Sequence, residues 1–288
     1  MSDSGNDPVA HPGSDLLLKS GLVVSAMTML SRVAGLTRDI VIAYFFGSSA
    51  AADSFFLAFR IPNFFRRLFA EGAFSQAFIP VLSEYKAKQD RSALQSLLDH
   101  TAGTLGVALL IFTGLGMLCA AGIITIFAAG YVYQEETGKI YLATQMLRIT
   151  LPYLLLISLT AFAGAILNTF GRFAVPAFTP VLLNVSLIAS AIWLRPYFDF
   201  PVLALAWGVL IAGIVQLVFQ LPFLARLGLL PRPRIDLKHT GVRRILRLMV
   251  PALFGVSVGQ INLLLDTVLA TFLITGSLSW LYYSDRLL

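Results

Sequence analysis

Between Ser31 and Gln76 the sequence runs SRVAGLTRDIVIAYFFGSSAAADSFFLAFRIPNFFRRLFAEGAFSQ. Arg32, Arg38, Asp39, Asp53, Arg60, Arg66, Arg67 and Glu71 all fall within it, among residues apolar enough for two membrane-length helices. A charge at the bilayer centre costs at least ~2.5–3.5 kcal/mol, so charges kept there usually face a water-filled cavity and a charged ligand. The chemistry these residues offer is anion binding, because a guanidinium presents a planar fork of donors that matches phosphate oxygens. Arg32 and Asp39 are seven residues apart and share a helix face, with Gly35 between them. Asp53, Arg60 and Arg67 recur at the same spacing, with Asn63 on their stripe.

The plain alternative is an Arg–Asp pair that only holds helices together. Removing one partner of such a pair is costly, whereas replacing both by apolar residues is often neutral. A retained excess of cations therefore favours an anionic ligand. Arginines 32, 38, 60, 66, 67, 148 and 286 outnumber Asp39, Asp53, Glu71, Asp266 and Asp285 in the apolar segments by seven to five. Arg67 has two further readings: it can reach out to headgroups, or pair with Glu71 one helical turn on. Asp266 stands alone in a later span and is the candidate for a coupling cation or proton, or for pairing with an arginine on another helix.

Other chemistries are excluded. Cys119 is the single cysteine, and His11, His100 and His239 have no partners at metal-ligand spacing. There is no nucleophile–His–acid set, HExxH or GxGxxG, so an enzyme is not expected. A phosphate-cradling P-loop is also absent, so transport would be gradient-driven or downhill unless a separate ATPase is bound. The +6 net charge does not point to nucleic acid, because the basic residues sit in alternate loops between apolar runs.

These side chains need a scaffold, and composition supplies one. The chain is 57% hydrophobic and 12% charged, against about 25% charged in soluble domains. Apolar runs predict an all-α polytopic membrane protein with helices over 21–46, 51–82, 101–129, 140–170 (kinked at Pro152), 173–194, 202–225 and 248–273. An eighth opens near Ser279 and reaches Leu288 only about halfway across a ~30 Å core, which reads as an N-terminal fragment. Residues 1–20 read as a disordered cytoplasmic tail, 21–225 as a six-helix lobe, 226–247 as a basic cytoplasmic loop and 248–288 as the start of a second lobe. Within the loop, LKHTGVRRILRLM reads either as a basic amphipathic helix on the inner leaflet or as a topogenic linker. Basic loops after the second, fourth and sixth helices put the N-terminus in the cytoplasm. Gly255 and Gly259 give a GxxxG spacing suited to close helix packing, and Trp280, Tyr282 and Tyr283 fit an interfacial aromatic belt. Asp39-Ile-Val-Ile-Ala-Tyr-Phe and Asp266-Thr-Val-Leu-Ala-Thr-Phe begin a weak parallel repeat.

The blocks SRVAGLTRD, ADSFFLAFRIPNFFRRLFAEGAFSQAFIPVLSEY and WLYYSDRLL resemble the MurJ (MviN) family of lipid II flippases, within the multidrug/oligosaccharidyl-lipid/polysaccharide exporter superfamily. The resemblance implies two six-helix lobes plus two further helices, and movement of an undecaprenyl-pyrophosphate-linked disaccharide–pentapeptide to the outer leaflet of the bacterial inner membrane. It implies substrate-binding roles for Arg32, Arg38, Asp53, Arg66 and Arg286, and cavity or gate roles for Asp39, Ala43, Arg60, Ser279 and Asp285. A sodium site in the second lobe would involve Asp266. No cofactor is expected beyond coupling to the membrane potential or a monovalent cation. The full-length protein is expected to act as a monomer among membrane lipids. Flipping of another lipid-linked oligosaccharide, or a non-transporting truncated lobe, are the alternatives; a cationic-drug exporter should have an acidic cavity instead.

Overall fold

The computed structural model describes the backbone from Pro12 to Leu287, and side chains from Gly21 to Asp285 except Ala70. The tail expected to be disordered lies outside the described residues as far as position 11; from Pro12 onward the backbone is helical. Helix α1 (Pro12–Phe46) turns at Gly47, whose φ is +57°, into α2 (Ala50–Phe65). Ser49 starts α2 by accepting a hydrogen bond from the Ala52 amide at 3.2 Å.

Pro62 lies inside α2 without interrupting it, and the helix changes geometry just beyond. Arg66–Phe74 is a π-helical segment, and it continues directly into α3 (Ser75–Ala87). A π segment widens the turn so that residues five apart share a face, and such segments are frequent at functional sites. Here it sends Arg66, Arg67 and Glu71 to one side and Phe69 and Phe74 to the other.

Asp90 caps α4 (Arg91–Leu118), so this helix starts well before the Thr101 that hydropathy picks out. Short helices α5 (Ala120–Phe127) and α6 (Ala129–Tyr133) follow. The run expected over 140–170 is split into α7 (Thr137–Thr150) and α8 (Pro152–Thr169) at the predicted proline. After α9 (Ala174–Ala189) comes α10 (Leu203–Leu227), ended by Gly228 in the left-handed region. Then α11 (Thr240–Ala270) and α12 (Ser277–Leu287) complete the bundle.

Among the described residues, five helices are long and apolar enough to cross a membrane: Arg91–Leu118, Thr137–Thr169, Ala174–Tyr197, Leu203–Leu227 and Thr240–Ala270. Helices α1 and α2, in the first two expected spans, are not among these. Packing follows α1 on α9, α10 on α8 and α9, α2 on α7, and α11 on the π segment and α3. Two apolar clusters result, one around Phe55, Phe59 and Tyr153, the other around Phe74, Phe78 and Phe162.

Two expectations about α11 change. The basic stretch before Leu248 is neither a separate surface helix nor a linker from Thr240 on, because Val242 and Ile245 are buried against the first lobe. Its Arg244 pairs with Glu84, whose carboxyl is held below its ordinary value by hydrogen bonds to Lys88 and Arg244. Among the described residues the GxxxG pair meets no neighbour: a Cβ on Gly255 or Gly259 would find nothing within 4 Å. Close approach instead uses Gly72 of the π segment, where a Cβ would lie 2.8 Å from the Val256 side chain.

Candidate functional site: an arginine-lined cavity

The bundle encloses a cavity of about 1090 Å³ between α1, the π segment, α8, α9, α10 and α12. Its wall runs from Ala43 and Tyr153, at the end where α1 meets α2, towards Ile79 and Asn168 at the opposite ends of α3 and α8. Arg32, Arg38, Asp39, Ala43, Arg66 and Asp285 of the predicted site residues all line it.

Their states differ. Arg38 is buried, 2% exposed, and its guanidinium is fully engaged. Nε and Nη2 donate to Asp39 Oδ1 at 2.9 and 2.6 Å, Nη1 to Asn184 Oδ1 at 2.9 Å, and Nη2 to Tyr282 Oη at 2.9 Å. Asn184 is itself oriented by donating to the Ser31 carbonyl at 3.1 Å. The Arg–Asp pair weighed as the plain alternative is therefore made by Arg38 with Asp39, not by Arg32. Arg32 is exposed to the cavity and makes no hydrogen bond or ion pair among the described residues.

Arg66 donates to Asn63 Oδ1 at 3.2 Å and pairs with Glu71. Sequence spacing had put Glu71 with Arg67, four residues away; the π geometry brings positions 66 and 71 together instead. Arg67 also lines the cavity.

Asp53 lies elsewhere. It is 1% exposed and outside the cavity wall, and it binds the start of α12. Its Oδ2 accepts from the Gly276 amide at 2.6 Å, and its Oδ1 from the Ser279 amide and hydroxyl at 2.9 and 2.6 Å. A carboxylate at a helix N-terminus meets unpaired amides and the positive end of the helix dipole. Ser279, also buried, belongs to this latch rather than to the cavity surface. Gly276 is required there: its φ is +100°, and a Cβ would sit 3.1 Å from the Ser48 carbonyl oxygen. The same end is tied by Lys139 Nζ to Thr275 Oγ1 at 2.8 Å, Gln134 Nε2 to the Phe272 carbonyl at 2.9 Å, and the Gly130 amide to Thr271 Oγ1 at 2.9 Å.

Arg60 reaches Asp285 at 3.2 Å but does not line the cavity. The Arg286 side chain lies outside the described residues. Asp266 is exposed on α11, away from the cavity, and among the described residues no group of three His, Cys, Asp or Glu side chains could hold a metal ion.

Charge counting missed the neutral half of the wall. Thr160, Asn168, Thr179, Asn184, Gln216 and Gln220 supply it from α8, α9 and α10. A signal was available: Gln216 and Gln220, four apart in an otherwise apolar span, must share a helix face.

At the far end, the linker before α11 is pinned to α4. Asp99 accepts from the Arg232 amide at 2.8 Å through Oδ1, and from the Arg234 amide at 3.0 Å through its carbonyl. His100 and His239 stack there with ring centroids 4.8 Å apart. Burial, reinforced by the neighbouring His100, pushes His239 below its ordinary value of 6.5, with Asp236 opposing.

A bundle of membrane-length helices around a polar, arginine-lined cavity is the architecture of a multi-pass membrane protein. The chain belongs to the family described as "Lipid II flippase MurJ", which matches residues 42–288. It is 54% identical to the "Probable lipid II flippase MurJ" of Vibrio cholerae over 96% of this chain and 53% of that protein. It is also 44% identical to the "Lipid II flippase MurJ" of Burkholderia cenocepacia over 94% of this chain and 53% of that protein. Among solved structures, "Lipid II flippase MurJ, inward closed conformation" superposes with a TM-score of 0.75 at 29% identity, covering 92% of this chain and 54% of that one. An outward-facing multidrug resistance MATE family transporter of the MOP superfamily, at a TM-score of 0.60 and 15% identity over 84% of this chain and 53% of that one, shares the fold. The chain spans about half the length of the curated relatives it matches.

Proposed function

We propose that the protein, over the length of its relatives, flips lipid II from the inner to the outer leaflet of the bacterial inner membrane, with its N-terminus in the cytoplasm. The observation that carries this is Arg32: a guanidinium with no partner among the described residues, on the wall of a cavity large enough for a headgroup. A pyrophosphate can dock on it without first displacing a protein carboxylate. Arg66 and Arg67 sit across the cavity, and Arg286 is the family's further contributor on α12. Arg38 enters in a second way. An arriving anion competes with Asp39 for it, so binding would loosen the contact from α1 to Tyr282 on α12 and thereby report occupancy to the second lobe.

The Asp53 latch then serves as the seal at the periplasmic end, which must part for release. Flipping is driven by the membrane potential or by a monovalent cation, with Asp266 as the candidate ion residue. The potential favours outward movement of an anion by ~2.3 kcal/mol per charge per 100 mV. The test is complementation of a flippase-depleted strain by the full-length protein. Arg32→Ala should abolish growth while the protein still accumulates in the membrane. Arg32→Lys, which keeps the charge but loses the fork, should restore it only in part. Normal growth with Arg32→Ala would overturn the reading.

A further inference from the structure

Across the cavity from the arginines, two buried amides are held so that each leaves one group unused. Gln216 and Gln220 on α10 are 2% and 1% exposed. Gln216 Nε2 donates to the Thr179 carbonyl at 3.0 Å, and Gln220 Nε2 donates to Thr179 Oγ1 at 2.9 Å. The Gln216 orientation is fixed by who can donate: a carbonyl only accepts, so Gln216 must present its nitrogen to Thr179, and turning it over would set oxygen against oxygen. The Thr179 hydroxyl donates to the Val175 carbonyl at 3.1 Å and, so turned, accepts from Gln220 Nε2.

The consequence is that Gln216 Oε1 and Gln220 Oε1 are buried acceptors with no hydrogen-bond partner among the described residues. An unmade hydrogen bond at a buried acceptor is costly, so such groups are kept where something supplies the donor. They lie one helical turn apart on one face. Both are amide oxygens, which accept hydrogen bonds and repel negative charge, so an anion is not what they await. We infer that Gln216 and Gln220 form a second subsite of the cavity, which accepts hydrogen bonds from uncharged O–H and N–H donors on the ligand, while Thr179 positions both amides. This rests on the lipid II reading and deepens it: the arginine wall holds the pyrophosphate, and the α10 amides read the sugar hydroxyls or peptide amides attached to it. A polyprenyl pyrophosphate without that moiety leaves both acceptors to water, and binds less well for it.

The test uses the full-length protein and three lipids: undecaprenyl pyrophosphate, its disaccharide form without peptide, and the complete precursor. Gln216→Met with Gln220→Met keeps the side-chain length and removes both acceptors. Affinity for the complete precursor should fall about 10-fold, two neutral hydrogen bonds' worth, while undecaprenyl pyrophosphate binding stays unchanged. An equal loss on the disaccharide form assigns the donors to the sugars; a loss confined to the complete precursor assigns them to the peptide. Thr179→Val, which frees Gln220 without opening a void, should show the same selectivity at smaller size, and it carries the test if the double variant fails to fold. Equal weakening on all three lipids, or none on any, overturns the subsite. If the unsubstituted protein binds the complete precursor no tighter than undecaprenyl pyrophosphate, the subsite falls while the pyrophosphate reading stands. If it binds none of the three, the lipid II reading falls, and the subsite with it.

Discussion

Two arginines six residues apart on one helix do different work. Arg32 has no partner among the described residues, and Arg38 is neutralised by Asp39 and held by Asn184 and Tyr282. A buried pair of this kind contributes little net stability, yet breaking it is expensive, because one charge is left without a partner. Asp39→Asn should therefore lower stability by ~3 kcal/mol or more, seen as a drop in the thermal unfolding midpoint of the purified protein. Arg38→Met with Asp39→Leu should recover most of that stability and still fail to support growth. Recovery of growth by the double variant would make the pair merely structural. The cluster of charges was legible in the sequence because charges in apolar runs stand out. The partition between them was not: Asn184 and Tyr282 lie 146 and 244 positions away, and only the fold brings them to Arg38. Gln216 and Gln220 were overlooked for a related reason, since neutral amides cost little enough in a span to raise no alarm.

Helix existence was readable from hydropathy and Pro152, but the geometry within helices was not. Periodicity at 3.6 residues assumes an α-helix, and the π segment at Arg66–Phe74 breaks that assumption. It swaps the partner of Glu71 and turns Phe69 and Phe74 towards α4 and α11. The Asp53 latch was unreadable for another reason, since a lone aspartate near a helix start looks like its own helix's first-turn acid. It acts instead on the start of α12. Asp53→Asn removes the charge from those hydrogen bonds and should weaken the latch by ~1–2 kcal/mol. Faster hydrogen–deuterium exchange over residues 271–280, with the rest of the protein unaltered, is the expected result; unchanged exchange would remove Asp53 from the seal.

At the scale of the whole molecule, the polar contacts that tie the two ends of the α11–α12 segment to the preceding helices are built differently. One end uses the carboxylate latch and the Thr271 and Thr275 hydroxyls; the other uses Asp99, the Arg244–Glu84 pair and the stacked His100 and His239. The lowered His239 value gives the second contact a sign. A histidine that is harder to protonate when folded supports the contact above its ordinary 6.5, and that support is lost as pH falls below it. Moving from about pH 7.5 to about pH 5.5 should loosen the linker from α4, with faster exchange at residues 230–240. His239→Phe, which keeps the ring and cannot titrate, should flatten that dependence.

The central claim is that Arg32 receives the pyrophosphate of lipid II. The most direct measurement is the amount of lipid II reaching the outer leaflet, read by its accessibility to an external probe in cells living on the full-length protein. With Arg32→Ala, lipid II should accumulate in the inner leaflet and become inaccessible outside, with protein levels in the membrane unchanged. Undiminished outer-leaflet lipid II in that variant would contradict the account.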